Sequence, residues 1–136
     1  MMTRVKGWEK ALKEVMQRHM ALPSEFGVSD CYLICDDTVL AITGERMYPD
    51  AIGYTSELGA AKKLAAHDFA NVEQAFAAKF ESIHPMHAQR GDIGVIDNDG
   101  AICGGVFTAL GFMVRDENQI TFLPVTRVKA AFKVGR

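Results

Sequence analysis

Cysteine is scarce in this chain: Cys31, Cys35 and Cys103 are the three thiols in 136 residues. An odd number at these spacings fits neither a disulfide framework nor a zinc site, so a reducing compartment is the default expectation. Net charge is small as well, −2, which argues against bulk attraction to nucleic acid or anionic lipid. Long apolar runs are missing, and none approaches the roughly 20 residues that a membrane span needs. The N-terminal stretch "MMTRVKGWEKALKEVMQRHM" has no uninterrupted apolar segment. Charges break it throughout, so it reads as an amphipathic helix and no signal peptide is expected. Internal repeats and low-complexity segments are lacking too.

What is present is ordinary globular material, with 49% apolar and 24% charged residues. One domain over residues 1–136 is expected, long enough for a real hydrophobic core. Val5, Trp8, Leu12, Val15, Met16 and His19 recur at helical spacing and predict a first helix over 4–20. Ser29 is a good N-cap and Asp30 suits the positive end of a helix, which then runs from about Asp30 to Ile42 and stops at Gly44. "SELGAAKKLAAH" and "NVEQAFAAKFESI" predict two short helices capped by Ser56 and Asn71.

The character changes at Gly91. The segment that follows is rich in glycine and β-branched residues and predicts strands at 92–96, 101–107, 109–114 and 120–123. "DNDG" and "DENQ" supply the hairpin turns, because Asn, Asp and Gly tolerate positive φ. "RVKAAFKV" reads either as one more strand or as a helical turn followed by a strand. Helices come first and an antiparallel meander follows, which is an α+β arrangement.

Cys31 carries the first chemical question. A cysteine in the first turn of a helix meets unpaired backbone N–H groups and the helix dipole, both of which lower a thiol pKa. Position alone leaves two readings open, a nucleophile and a small buried residue. Cys35, one turn on, is expected to face the core near Val39. Four histidines are the candidate bases. His19 and His67 belong to helices, as packing or surface residues. His84 and His87 stand in "HPMHAQRGD", where Pro85 breaks any helix that would align them on a metal, and no third ligand is evident. His87 remains a candidate displaced base if its loop doubles back toward Cys31. Asp36-Asp37 reads as a solvated acidic face. "ICGGVF" lacks the strand–loop–helix context of a phosphate cradle, and its glycines are expected to let backbone approach the Cys31 helix closely. No cofactor and no metal are expected.

"FGVSDCYLICDDTVLAITG", then "RGDIGVI" and "AICGGVF", resemble the papain-like NlpC-type cysteine peptidases. In that superfamily an Asp-Cys pair opens a helix, a Gly-Asp begins the first core strand, and a histidine on the next strand supplies the base. Asp30-Cys31 matches the first element and Gly91-Asp92 the second, while Cys103 falls where the histidine belongs. The likeness extends to a phage-associated subfamily of unknown function found among tail and gene-transfer-agent genes. Trp8, "GVSDC", "ITG" at 42–44, Tyr54 and "AAFKV" at 130–134 carry it across nearly the whole chain.

The resemblance implies a papain-like fold, with the helical half packed on the sheet and Cys31 in the nucleophile's place. Its one departure is chemical. A thiol does not replace an imidazole that is neutral at pH 7 and also returns a proton to the leaving amine. Two functions stay open. One is a degenerate domain serving as a phage or prophage tail or assembly component. The other is a cysteine hydrolase of cell-wall peptides or other amides, with Cys31 as nucleophile and its own N–H helping to hold the oxyanion. The implied partners are phage tail proteins or a cell-wall peptide, and the implied location is cytoplasmic or virion-associated.

Overall fold

Residues 2–136 are described by a computed structural model. Four α-helices precede and flank one antiparallel sheet: α1 (Trp8–Ala21), α2 (Leu33–Thr43), α3 (Glu57–Ala66) and α4 (Val72–Lys79). The strands are β1 (Ser82–Ile83), β2 (Ile93–Asn98), β3 (Ala101–Thr108), β4 (Gly111–Arg115), β5 (Ile120–Leu123) and β6 (Ala130–Phe132). They lie in the order β1-β6-β2-β3-β4-β5. The fold is α+β, with helices N-terminal and sheet C-terminal.

α2 is buried on nearly every side, including Leu33, Ile34, Cys35, Val39 and Ile42, which is the pattern of a central helix. It packs against α1 and against β3, and α4 covers β2, β3 and β6 beside it. The main core therefore lies between the helices and one sheet face, around Phe76, Ile93, Val95, Val106 and Met113. A second, smaller cluster of Ile96, Phe107, Phe112, Val114, Val128 and Ala131 occupies the other face.

Local chemistry explains most boundaries. Ser56 accepts from the Gly59 N–H at 3.0 Å and Asn71 from the Gln74 N–H at 3.0 Å, so both expected caps hold. Gly44 ends α2 at φ 84°, its N–H returning to the Leu40 carbonyl. In the "DNDG" hairpin Asn98 pairs with Ala101, and Asp99 and Gly100 both take positive φ, 53° and 90°. This is the primed turn that matches strand twist. In "DENQ" the Asp116 carboxylate accepts from the Asn118 and Gln119 N–H groups at 2.8 and 2.7 Å.

Several expectations are corrected. The first helix starts at Trp8, not residue 4, because Gly7 is left-handed. The helix after Asn71 ends at Lys79; Phe80 is extended, and Ser82–Ile83 pair with β6 instead of prolonging the helix. The strand expected from 109 starts at Gly111, since Ala109 and Leu110 form the turn between Thr108 and Gly111. The C-terminal segment follows its second alternative, a helical turn at Val125–Arg127 and then β6.

Asp36-Asp37 is not a solvated face. Asp36 is fully buried and accepts from Arg46 Nη1 at 2.7 Å and from the Met47 N–H at 2.8 Å. Asp37 Oδ2 lies 2.8 Å from His19 Nε2, and its Oδ1 accepts from Arg46 at 3.1 Å. Burial raises the Asp36 pKa despite Arg46. Burial also works to raise that of Asp37, but the bonds from His19 and Arg46 outweigh it and the net shift is downward. The pair ties α1, α2 and the following loop together, because buried carboxylates need partners.

Candidate functional site: a thiol pair beside a cavity

α2 begins at Leu33, later than the expected Asp30, and Asp30, not Ser29, caps the helical turn that carries Cys31 into it. Its Oδ1 accepts from the Tyr32 and Leu33 N–H groups at 3.0 and 2.8 Å, and Oδ2 accepts from the Gly27 N–H at 3.0 Å. The Tyr54 hydroxyl donates to the same carboxylate at 2.8 Å. The Ile34 N–H returns to the Asp30 carbonyl, so the helical turn begins at Cys31. Burial first, and then the Asp30 charge, push the Tyr54 pKa upward. Cys31 does stand in a first turn. The N–H groups that would favour its thiolate, however, are already occupied by Asp30.

Ser29 has other work. Its Oγ lies 2.7 Å from His19 Nδ1 and accepts from Arg115 Nη2 at 2.7 Å. With Asp37 on the other ring nitrogen, Ser29, His19 and Asp37 form a row of residue types known from serine hydrolases. Here Ser29 and His19 are both fully buried, so no substrate carbonyl reaches the hydroxyl. The row holds α1, α2 and β4 together through side chains far apart in the chain.

Strand geometry positions the second thiol. The Phe107 N–H donates to the Asp92 carbonyl toward β2. Backbone N–H groups alternate along a strand, so that of Gly104 points to the opposite edge. β4 pairs with β3 only from Val106 onward, leaving that edge open at Gly104. Cys31 occupies the opening: its carbonyl oxygen lies against Gly104, and it lines the same cavity as Cys103.

By alternation Cys103 shares the outer sheet face with Ile96 and Phe107, while Ile102, Gly104 and Val106 face the helices. Cys103 thus does not point at α2, and it shares the cavity wall with Cys31 at the strand's open edge. The helix comes close because residue 104 has no side chain: a Cβ there would lie 2.6 Å from the Cys31 carbonyl oxygen and 3.0 Å from Cys35 Sγ. The expected close approach is therefore found at Gly104, whereas Gly105 makes room for the Phe112 ring on the other face.

All three cysteines are free thiols. Cys35 is fully buried and donates to the Gly105 carbonyl at 3.4 Å, the expected core role. Cys31 and Cys103 are half-buried. Cys103 is pulled down to about 7 by the hydrogen bond from Cys31, against the opposing effect of burial. Cys31 is pushed well up, first by that same bond and then by burial, with the Gly104 N–H working the other way. The pair gives up one proton readily and holds the other, as two coupled groups sharing a hydrogen bond do.

The pair opens onto a cavity of about 470 Å³ between the β2–β3 hairpin, α3 and the starts of α2 and α4. Its wall is largely apolar, including Tyr32, Ala60, Leu64, Val72 and Ile102, with Glu57, Lys63 and Asn71 as polar elements. The Tyr32 hydroxyl is buried without a hydrogen-bond partner among the described residues. No histidine is among the residues lining the cavity. His87 is exposed in the turn after β1, near His84, and the fold does not bring it to Cys31. β6 and β2 separate β1 from the strand that carries Cys103. His67 contacts Asp50 and stacks on Phe69. Among the described residues no group of three or more His, Cys, Asp or Glu side chains could hold a metal ion. No helix among them is long and apolar enough to cross a membrane.

No curated protein and no solved structure matches the chain. A family model does match, over residues 3–134, and by that match the chain belongs to the family described as a domain of unknown function (DUF6950).

Proposed function

We propose that the chain is a papain-like module of the NlpC type whose cleft binds a peptide segment without cleaving it, as a tail or assembly component of a phage or prophage particle. The observation that carries the loss of hydrolysis is the lining of the cavity beside Cys31, which includes a second thiol, Cys103, and no histidine. General-base attack on an amide also needs an acid for the leaving nitrogen, and no imidazole stands there to serve as both. The cavity's apolar wall with a few polar groups is the composition of a binding cleft. The phage setting rests on the order of the sequence motifs alone.

One observation favours the hydrolase reading. Cys31 stands in the first turn of a helix beside an outward-pointing N–H, that of Gly104, and next to a thiol whose pKa lies near 7. In that reading the Cys103 thiolate takes the Cys31 proton. Incubation with cell-wall peptides separates the two. Binding without new termini in mass spectra supports the module, and cleavage abolished by Cys31→Ser overturns it.

A further inference from the structure

We propose that Cys31 and Cys103 form a thiol–disulfide exchange site that takes up two electrons' worth of oxidation from a low-molecular-weight disulfide and stores it as an intramolecular Cys31–Cys103 disulfide. The proposal does not depend on whether the cleft binds peptides.

Three observations meet at this place. The two thiols come from elements about seventy residues apart in sequence, yet both line one cavity, and the Cys31 carbonyl lies against Gly104, the neighbour of Cys103. Both are half-buried at the edge of an open cavity, while the third thiol is sealed in the core. β4 leaves β3 unpaired alongside Gly104, so Cys31 sits at a free strand edge rather than behind another strand. The lowered Cys103 pKa suits its role as the attacking thiol, since an attacking thiol works best with a pKa near the ambient pH.

The chemistry balances with a disulfide RSSR as oxidant. The Cys103 thiolate attacks one sulfur of RSSR, the S–S bond breaks, and RS⁻ leaves with the electron pair. Cys103 is then a mixed disulfide. Cys31 loses its proton to the departing thiolate and attacks the Cys103 sulfur. The Cys31–Cys103 bond forms and the second RS⁻ leaves, taking a proton from water. The chain is oxidised by two electrons, and RSSR is reduced to two RSH. The roughly 470 Å³ cavity, apolar with Lys63 and Glu57 among its lining, leaves room for a small disulfide above Cys103. Cys31, fixed at the helix start, is the resolving thiol.

The test equilibrates the full chain with oxidised and reduced glutathione in a graded ratio at pH 7, followed by alkylation and peptide mapping. The expected result is a Cys31–Cys103 link in a monomeric chain, with Cys35 left free. In Cys31→Ser the glutathione adduct on Cys103 should persist unresolved. In Cys103→Ser, adduct formation on Cys31 should slow by at least about tenfold, as loss of the low-pKa thiol requires. Map data on the unsubstituted chain decide the matter even if a variant does not fold. No link at any ratio, a wild-type adduct that never resolves, or a link through Cys35 or between chains would overturn the proposal.

Discussion

Two polar regions sit on the same sheet and are built in opposite ways. At the start of β2, the fully buried Asp92 carboxylate is saturated. Oδ1 accepts from Arg4 Nη2 at 3.0 Å, the Val134 N–H at 3.1 Å and Arg136 Nε at 3.2 Å. Oδ2 accepts from the Gln89 N–H at 2.8 Å and from Arg136 Nη2. Just before α2 and in the middle of β3, Cys31 and Cys103 line the wall of an open cavity. The first region joins both chain ends to the sheet and has no bonding capacity left for a ligand. The second keeps capacity free. Function is sought where polar groups are left unspent, and the Gly-Asp motif at 91–92 is by this measure structural.

The comparison is sharpened first by thiol chemistry, where the expected effect is largest. With Cys103 drawn from 9.0 to about 7, its thiolate fraction below neutrality is about 100-fold that of an ordinary thiol. Iodoacetamide labelling of Cys103 should rise through about pH 7, with Cys31 following only at higher pH and Cys35 last. A profile with Cys31 labelled first would place the thiolate on the helix after all.

On the saturated side, Asp92→Ala strands Arg4 and Arg136 and removes the acceptor of two backbone N–H groups. Breaking a buried ion pair typically costs about 3–5 kcal/mol, so denaturant unfolding should show a loss of that size. A loss under about 1 kcal/mol would mean that the chain ends are not anchored there.

Asp30→Ala comes next. It removes a helix cap and leaves the Tyr54 hydroxyl without its acceptor, together about 2–3 kcal/mol. Adding Tyr54→Phe to that variant should recover part of the loss, because the stranded hydroxyl goes with it. Gly104→Ala drives a methyl against the Cys31 carbonyl and should cost about 1–3 kcal/mol while changing thiol labelling. An unchanged Cys103 labelling profile in that variant would uncouple the glycine from the thiol pair.

The smallest effect belongs to Tyr32→Phe. Its hydroxyl is buried without a partner, so its removal should shift stability by no more than about 0.5 kcal/mol or raise it. A large loss would reveal a partner for that oxygen.

What could be read from residues alone was what depends on neighbours in the chain. Ser56 and Asn71 capped as expected, Gly44 ended α2, and Asp99-Gly100 made the primed turn, because a cap or a two-residue turn is decided within a few residues. The α+β order followed from a change in periodicity at Gly91. Cys103 stood out because of its place in a motif; it lines the same cavity as Cys31, but it lies on the outer sheet face, and Gly104 is the residue turned to the helix. The Ser29 cap failed because Asp30 and Ser29 are equally good caps in isolation, and Ser29 was drawn to His19 and Arg115 instead.

By itself the sequence determined the helices, the hairpins and a cysteine at a helix start. Only tertiary structure decided that β6 enters the sheet between β1 and β2, that Asp36 is buried on Arg46, and that His87 ends up away from Cys31. It also decided that the helix N–H groups near Cys31 are already taken by Asp30, and that Cys31 and Cys103 line one cavity. These outcomes depend on which strand edge stays open and which side chains lose water. Both are set by contacts between residues tens of positions apart, which local propensity and periodicity do not encode.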